Sequence, residues 1–193
     1  ASREEKPAFH TFLYEHFSEV ISRSGKNDEK SPAVMRAYNE ASYHLYLADN
    51  QSGKPGKRIT ELLLSEDLIK GKLRSCGADA LLADYTQISK ECLPEDLAIL
   101  QRTLQLSIHI LREDPDQLEY QFTGRMAEIK NTSIQNLLDK LDRQKKDRWL
   151  KPLVKVLPGP EDAKIVILKE HKAKITDFWT SGDKLFTGDA LAD

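Results

Sequence analysis

The strongest constraint on the fold is the spacing of leucines and other apolar residues, which repeat at three- and four-residue steps along most of the chain. The clearest example lies within 94–113, where one helical face carries Leu97, Leu100, Leu104, Ile108 and Leu111. Leucine occurs 26 times and valine only 5 times in the 193 residues, a usage that favours helices over strands. The sequence therefore predicts a mainly α-helical domain.

Start and stop signals divide this periodic region into about seven or eight amphipathic helices. Ser31, which a proline follows, marks the start of the second helix as an N-cap. Ser65 is expected to cap a later helix that ends at Gly77, and Thr132 begins another start signal, completed by a glutamine three residues on. These segments predict a helical bundle or superhelix over residues 1–150.

The pattern changes after about residue 147. Pro152, Pro158 and Pro160 do not fit a helix interior, so the segment that contains them is expected to run extended as a hinge or strut. Short apolar runs then alternate with polar turns and predict antiparallel strands, whose unpaired edges need another surface. The predicted domains are a helical arm (1–150), a proline-rich linker (151–164) and a short β segment (165–193).

Charge and composition exclude several classes of protein. The chain has 29 basic and 31 acidic residues, a balance that argues against bulk attraction to nucleic acid or to anionic lipid. Cys76 and Cys92 are too few for a disulfide framework or a thiolate zinc site. No run approaches the ~20 apolar residues of a membrane span, and the first ten residues include four charged side chains and no apolar run of the kind found in signal peptides. We therefore expect a cytoplasmic protein without a membrane partner.

The motifs of common enzymes are missing from the sequence. It contains no phosphate loop, dinucleotide-binding glycine loop, HExxH zinc pair or GxSxG elbow. The glycines at 53–57 follow no predicted strand, and His44 and His109 lie in apolar helical stretches where a packed imidazole is the simpler interpretation. We expect no catalytic residue, cofactor or metal in this chain, and hence not an enzyme.

One basic cluster is a candidate interaction surface. Residues 140–155 contain seven basic and two acidic side chains around one tryptophan. Such a stripe can bind nucleic acid or an acidic partner, although a solvated helix end explains it more simply and a protein interface comes next. The candidate interaction or hinge residues are Lys145, Lys146, Arg148, Trp149, Pro152, Pro158 and Pro160.

Three segments carry a resemblance to a known family. They are SYHLYLAD (42–49), ELLLSEDLIKGKLRSCGADALLADY (61–85) and LQLSIHILREDPDQLEYQFTGRM (104–126). Together they resemble the helical arm of STAND-type signalling NTPases, of the apoptotic protease-activating-factor kind. The C-terminal residues after 165 are similar to the opening of a WD-repeat propeller blade.

The resemblance implies a mechanical role for this chain. In that family, helical modules connect a nucleotide-binding switch to WD-repeat propellers, so the partners are neighbouring domains of the same chain, and the full-length parent can form a homo-oligomer. It also implies that His171 and Asp193 belong to the hydrogen-bond network of a propeller blade. The expected function is a non-catalytic connector that spaces the switch from the propeller.

Two other functions remain open. A free-standing helical adaptor would grip a peptide or protein in a groove, although no fixed period of 20–50 residues favours a regular solenoid. A nucleic-acid-binding module would use the basic stripe at 140–155 and lose affinity with salt.

Overall fold

The structure, a computed structural model, describes residues 5–25, 28–49, 54–89, 91–144, 149–162, 175–181 and 184–189. The chain divides into two compact units, residues 1–161 and residues 162–193, and each is described by itself.

The described part of the first unit contains eight α-helices, which confirms the prediction of a mainly helical fold. A short 3-10 turn at Pro115–Gln117 joins the sixth helix to the seventh. None of the helices in the described ranges is long and apolar enough to cross a lipid bilayer. The helices are α1 (Glu5–Arg23), α2 (Pro32–Asp49), α3 (Lys57–Leu63), α4 (Glu66–Cys76), α5 (Ala78–Thr86), α6 (Glu95–Glu113), α7 (Leu118–Met126) and α8 (Thr132–Gln144).

The helices pack mostly on their neighbours in sequence. Helix α2 contacts α1, α3, α4 and α5, helix α6 contacts α5 and α7, and α8 packs on α7 and returns to α4. One apolar cluster runs from α2 to α8, and a smaller one around Phe17, Ala37 and Ala41 holds α1 on α2. The leucine stripe of α6 forms part of the larger cluster, as its spacing predicts.

Two tyrosines fix the distances between helices inside this core. The Tyr85 side chain is fully buried and donates a hydrogen bond from its hydroxyl to the Leu63 carbonyl at 2.7 Å, which ties α5 to α3. The Tyr38 hydroxyl on α2 occupies the space that a Cβ of Gly71 would fill on α4. The absence of a side chain at Gly71 therefore allows the close approach of these two helices.

The helix caps match the sequence-based predictions at two positions and differ from them at two others. The Ser31 hydroxyl accepts from the Val34 N–H at 3.3 Å, and Gly77 ends α4 with a φ of +92°, both as predicted. Ser65 makes no side-chain cap bond. At α8 the capping side chain is Asn131, which accepts from the Ile134 N–H at 3.1 Å, so the prediction that the start signal begins at Thr132 was one residue late.

The described part of the second unit is a pair of antiparallel strands. Strand β1 (Ile175–Ser181) pairs with β2 (Lys184–Asp189), with Trp179 opposite Phe186 and an irregularity between Ile175 and Asp177. The first predicted strand, at 165–168, lies outside the described residues. Whether this hairpin opens a propeller blade stays a prediction.

A buried ion pair joins α4 to α5. The Lys72 ammonium lies 2.7 Å from the Asp84 carboxylate, and the two side chains are 2% and 7% exposed. Burial raises the pKa of Asp84, and the charge and hydrogen bond of Lys72 counteract that rise. Because each charge has lost its water, neither partner tolerates loss of the other.

A pair of histidines joins α1 to α2. The Nδ1 atoms of His10 and His44 lie 2.8 Å apart, so one imidazole donates a hydrogen bond to the other, and Phe17 stacks on the His44 ring. Burial, followed by the nearby His10, lowers the pKa of His44, while Glu40 on the same helix raises it. In the folded chain His44 is therefore neutral at a pH where the unfolded chain has begun to bind a proton.

Removing one partner of the buried pair should destabilise the chain more than removing both. Asp84→Ala leaves the Lys72 charge buried without a partner, at a cost of about 3–5 kcal/mol in the free energy of unfolding. The double variant Lys72→Met/Asp84→Leu should cost less, measured by urea unfolding followed by circular dichroism. A double variant as unstable as the single one would contradict the assigned role.

The histidine pair should make stability depend on pH. The lowered pKa of His44 means that its contribution is fully present above pH 6.5, its ordinary pKa, and is lost as the pH falls below that value. His44→Phe, which retains the stacking on Phe17, should flatten the change in unfolding free energy between pH 7.5 and pH 5.5. Equal slopes for the variant and the parent chain would rule this out.

Candidate functional site

The proline-rich segment at residues 149–161, which we call the strap, belongs to the same compact unit as the helices. Its backbone binds the C-terminal end of α7. The N–H groups of Val156 and Leu157 both donate to the Gly124 carbonyl at 2.9 Å. Gly124 lies in the last turn of α7, whose carbonyls have no partner within the helix, so the strap caps this helix end.

The side chains at this contact fit closely. A Cβ on Gly124 would lie 3.1 Å from Cδ1 of Leu157 and 3.2 Å from Cγ2 of Val156. The Lys155 N–H also donates to the Glu128 carboxylate at 3.2 Å, just beyond α7. Glycine at position 124 therefore lets the strap approach the helix backbone.

A buried arginine fastens the strap further along. Arg125 is 5% exposed, and its Nη1 donates to the Pro158 carbonyl at 2.6 Å. Burial lowers the pKa of Arg125. The guanidinium also donates to three oxygens on α6 and α7, namely Ser107 Oγ at 3.0 Å, the Leu106 carbonyl at 3.2 Å and Gln121 Oε1 at 3.0 Å.

In this arrangement the Arg125 guanidinium has a structural role, because it holds several elements together. All four acceptors are neutral oxygens, and they occupy most of the five N–H groups that a guanidinium presents. Hydrogen bonds to a charged donor are stronger than neutral ones, which offsets the cost of burying the charge. The guanidinium thus connects α6, α7 and the strap at one point.

Four aliphatic side chains of the strap are open to solvent. The side chains of Leu150 and Leu153 are 92% and 87% exposed, and those of Val154 and Val156 are 57% and 51% exposed. Isolated exposed aliphatic residues are ordinary, but four within seven positions make this segment unusually apolar for an exposed one.

The predicted site residues fall into three groups. Pro152 is half-buried, Pro158 supplies the carbonyl that Arg125 binds, and Pro160 is buried, so all three lie in the strap. Trp149 is half-buried near Asp142, whose pKa is lowered first by its hydrogen bond from Lys151 and also by one from Trp149. Outside the described residues lie Lys145, Lys146, Arg148, His171 and Asp193.

The described part of the predicted linker is held against the helices by specific contacts, whereas a flexible hinge would make few of them. Within it, residues 156–158 contact α7 through hydrogen bonds and side-chain packing, so motion there would require breaking the contacts at Gly124 and Arg125. The role of hinge stays a prediction, as do the domain boundaries around it.

The residues that hold the strap were missed by the sequence analysis. Gly124 and Arg125 lie within the periodic segment 118–129, where an arginine is normally a surface residue. The only available signal was a glycine inside a helical pattern, which costs about 1 kcal/mol relative to alanine and so indicates a packing requirement.

The described residues provide little for metal chemistry: no three His, Cys, Asp or Glu side chains there are grouped as metal ligands. Comparison of the chain with protein-family models, with curated protein sequences and with solved structures gives no match. The function is therefore inferred from the geometry above and from the motifs of the sequence.

Enlarging Gly124 should release the strap. Gly124→Val places methyl groups against Val156 and Leu157, and overpacking of this kind costs about 1–3 kcal/mol. Trypsin should then cleave after Lys155 about tenfold faster or more, because 1.4 kcal/mol corresponds to a factor of ten in the open population. The Lys151–Pro152 bond resists trypsin, so mass spectrometry of the fragments identifies this cut.

The matched control is Gly25→Val, because the nearest atom to a Cβ at that position is Asp28 Oδ2 at 3.8 Å. This control should leave the rate of cleavage after Lys155 unchanged. Equal rates for Gly124→Val and the parent chain would show that the strap is not held at Gly124.

Proposed function

We propose that this chain is a non-catalytic helical connector of a cytoplasmic signalling NTPase of the apoptotic protease-activating-factor type. In this role it spaces a nucleotide-binding switch from a WD-repeat propeller and contacts both. The observation that carries the proposal is the attachment of the strap by Gly124 and Arg125. A connector can set the distance and angle between two domains only if the chain leaves its rigid helices in a fixed position and direction, and this attachment provides that.

The packing of the helices supports a rigid element. Polar contacts join helices that are distant in sequence, as when the Lys70 ammonium on α4 lies 2.9 Å from the Glu119 carboxylate on α7. The same Lys70 ammonium also donates to the Leu141 carbonyl of α8 at 3.5 Å. Packed helices with such connections resist bending, so motion concentrates in the segments between rigid parts.

The identity of the parent protein depends on the resemblance stated above. The segment at 42–49 is the second half of α2, the segment at 61–85 runs from the end of α3 into α5, and the segment at 104–126 joins the second half of α6 to α7. The coding sequence around this segment offers a direct check. We expect a phosphate-loop ATPase before it and repeated Trp-Asp units after it, and different neighbours would refute the assignment to this family.

Rigidity of the attachment can be measured as a distance distribution. Spin labels at Gln105 on α6 and Glu161 at the end of the strap, in a Cys76→Ser/Cys92→Ser background, report their separation by pulsed electron paramagnetic resonance. The parent chain should give one narrow distribution. Arg125→Met removes the hydrogen bond to Pro158 and should broaden it.

The control for this experiment is Arg112→Met, which removes an arginine whose recorded hydrogen bonds join α6 to Asp79 on α5, away from Pro158 and Gly124. It should keep the narrow distribution. A broad distribution in the parent chain would contradict the proposed connector, because the strap would then be mobile without any substitution.

A further inference from the structure

The N-terminal end of α1 is joined to α2 chiefly by a histidine. The α1 residues that pack into the apolar clusters of the described chain begin at Leu13. Before that point, Phe9 and Phe12 are 58% and 66% exposed, so these two aromatic rings add little packing. Among residues 6–12, the described hydrogen bond and ring contacts to α2 come from His10. The first turns of α1 are therefore held in place by a titratable group.

His10 meets α2 at a cluster of rings. Its Nδ1 lies 2.8 Å from Nδ1 of His44, and the two imidazoles stack with their centroids 5.1 Å apart. The Tyr43 ring lies edge-on to both imidazoles. The second ring nitrogen of His44, Nε2, lies 3.6 Å from the Glu40 carboxylate. A hydrogen bond between the two Nδ1 atoms forms only while one of them carries no proton.

This requirement makes the contact depend on the number of protons on the pair. With both imidazoles neutral, or with one of them positively charged, the Nδ1–H of one ring still faces a lone pair of the other. With both charged, each Nδ1 carries a proton, so the hydrogen bond is lost and two like charges face each other.

The charged groups around the pair add to this effect. Those that act on His44 are His10 from α1, which disfavours a second charge, and Glu40 from its own helix, which favours a charge on the ring. From α4 and α5, Lys72 and Asp84 line a groove together with Glu40, and they bind each other. The pair is therefore expected to hold one positive charge more easily than two.

We propose that the first two turns of α1 form a proton-operated latch, which is closed on α2 near neutral pH and opens when His10 and His44 are both charged. Residues from Leu13 onward remain packed, so the opening is local and distinct from a loss of global stability. A helical segment of two turns is marginal in water without tertiary contacts. Opening uncovers the His44 ring, whose side chain is 11% exposed in the closed state. This inference does not depend on the proposed connector.

The direction of the response follows from the environment of His44. Burial lowers the pKa of His44 while the latch is closed, and opening returns it toward the ordinary value of 6.5. Protonation therefore favours the open state, whose population rises as the pH falls below 6.5. The latch should be closed at about pH 7.5 and mostly open at about pH 5.

The test measures distances in the whole chain by pulsed electron paramagnetic resonance at about pH 7.5 and about pH 5. Spin labels at Lys6 on α1 and Gln105 on α6, in the Cys76→Ser/Cys92→Ser background, report the latch. We expect one narrow distribution near neutral pH and a broad one in acid. Labels at Glu19 and Gln105 report the rest of α1 and should give the same narrow distribution at both values.

Substitutions at the pair identify the groups that respond. His10→Phe/His44→Phe keeps two stacked rings but removes both titratable groups, so the Lys6–Gln105 distribution should no longer change with pH. His16→Phe is the matched control, because this imidazole is exposed on α1 and its described ring contact is with Phe17 of the same helix. The control should retain the broadening in acid.

Three results would overturn the latch. The first is a Lys6–Gln105 distribution that is equally narrow or equally broad at both pH values. The second is a pH response that persists in His10→Phe/His44→Phe. The third is equal broadening between Glu19 and Gln105, which would show that the whole helix responds and not its first two turns.

Discussion

A buried guanidinium connects the helices of this chain to the segment that follows them. Arg125 takes its acceptors from α6, from its own helix and from the strap, and all of them are neutral oxygens. A charge in such a place is stable only while its hydrogen bonds are made. Detachment of the strap would remove the shortest of them, so the position of the strap and the packing of α6 on α7 are energetically coupled.

The strap supplies hydrogen-bond donors to the end of α7, and the end of α7 supplies an acceptor to the strap. The Gly124 carbonyl near the C-terminus of α7 needs a donor, and the N–H groups of Val156 and Leu157 need an acceptor because the prolines prevent a helix around them. The absence of a side chain at Gly124 lets the two backbones meet. The side chains of Leu150 and Leu153, earlier in the strap, remain 92% and 87% exposed.

The sequence predicted the helices well because their cause is local. The leucine spacing of α6 and the serine–proline start of α2 depend on neighbouring residues alone. The role of the prolines could not be predicted in the same way. Proline excludes a helix, but whether the resulting extended segment swings freely or docks depends on Gly124 and Arg125, which lie more than 25 residues earlier in the chain. The error at Thr132 has a local origin instead: the preceding residue, Asn131, is also a good N-cap, and its side chain makes the cap bond.

The most direct test of the anchored strap is hydrogen exchange of the Val156 and Leu157 amides in the full chain, followed by NMR. If both donate to the Gly124 carbonyl, they should be protected to about the same degree as the amides within α7, because they open with the same unit. Exchange of these two amides at the rate of an unstructured peptide, while α7 stays protected, would show that the strap is not bound to Gly124.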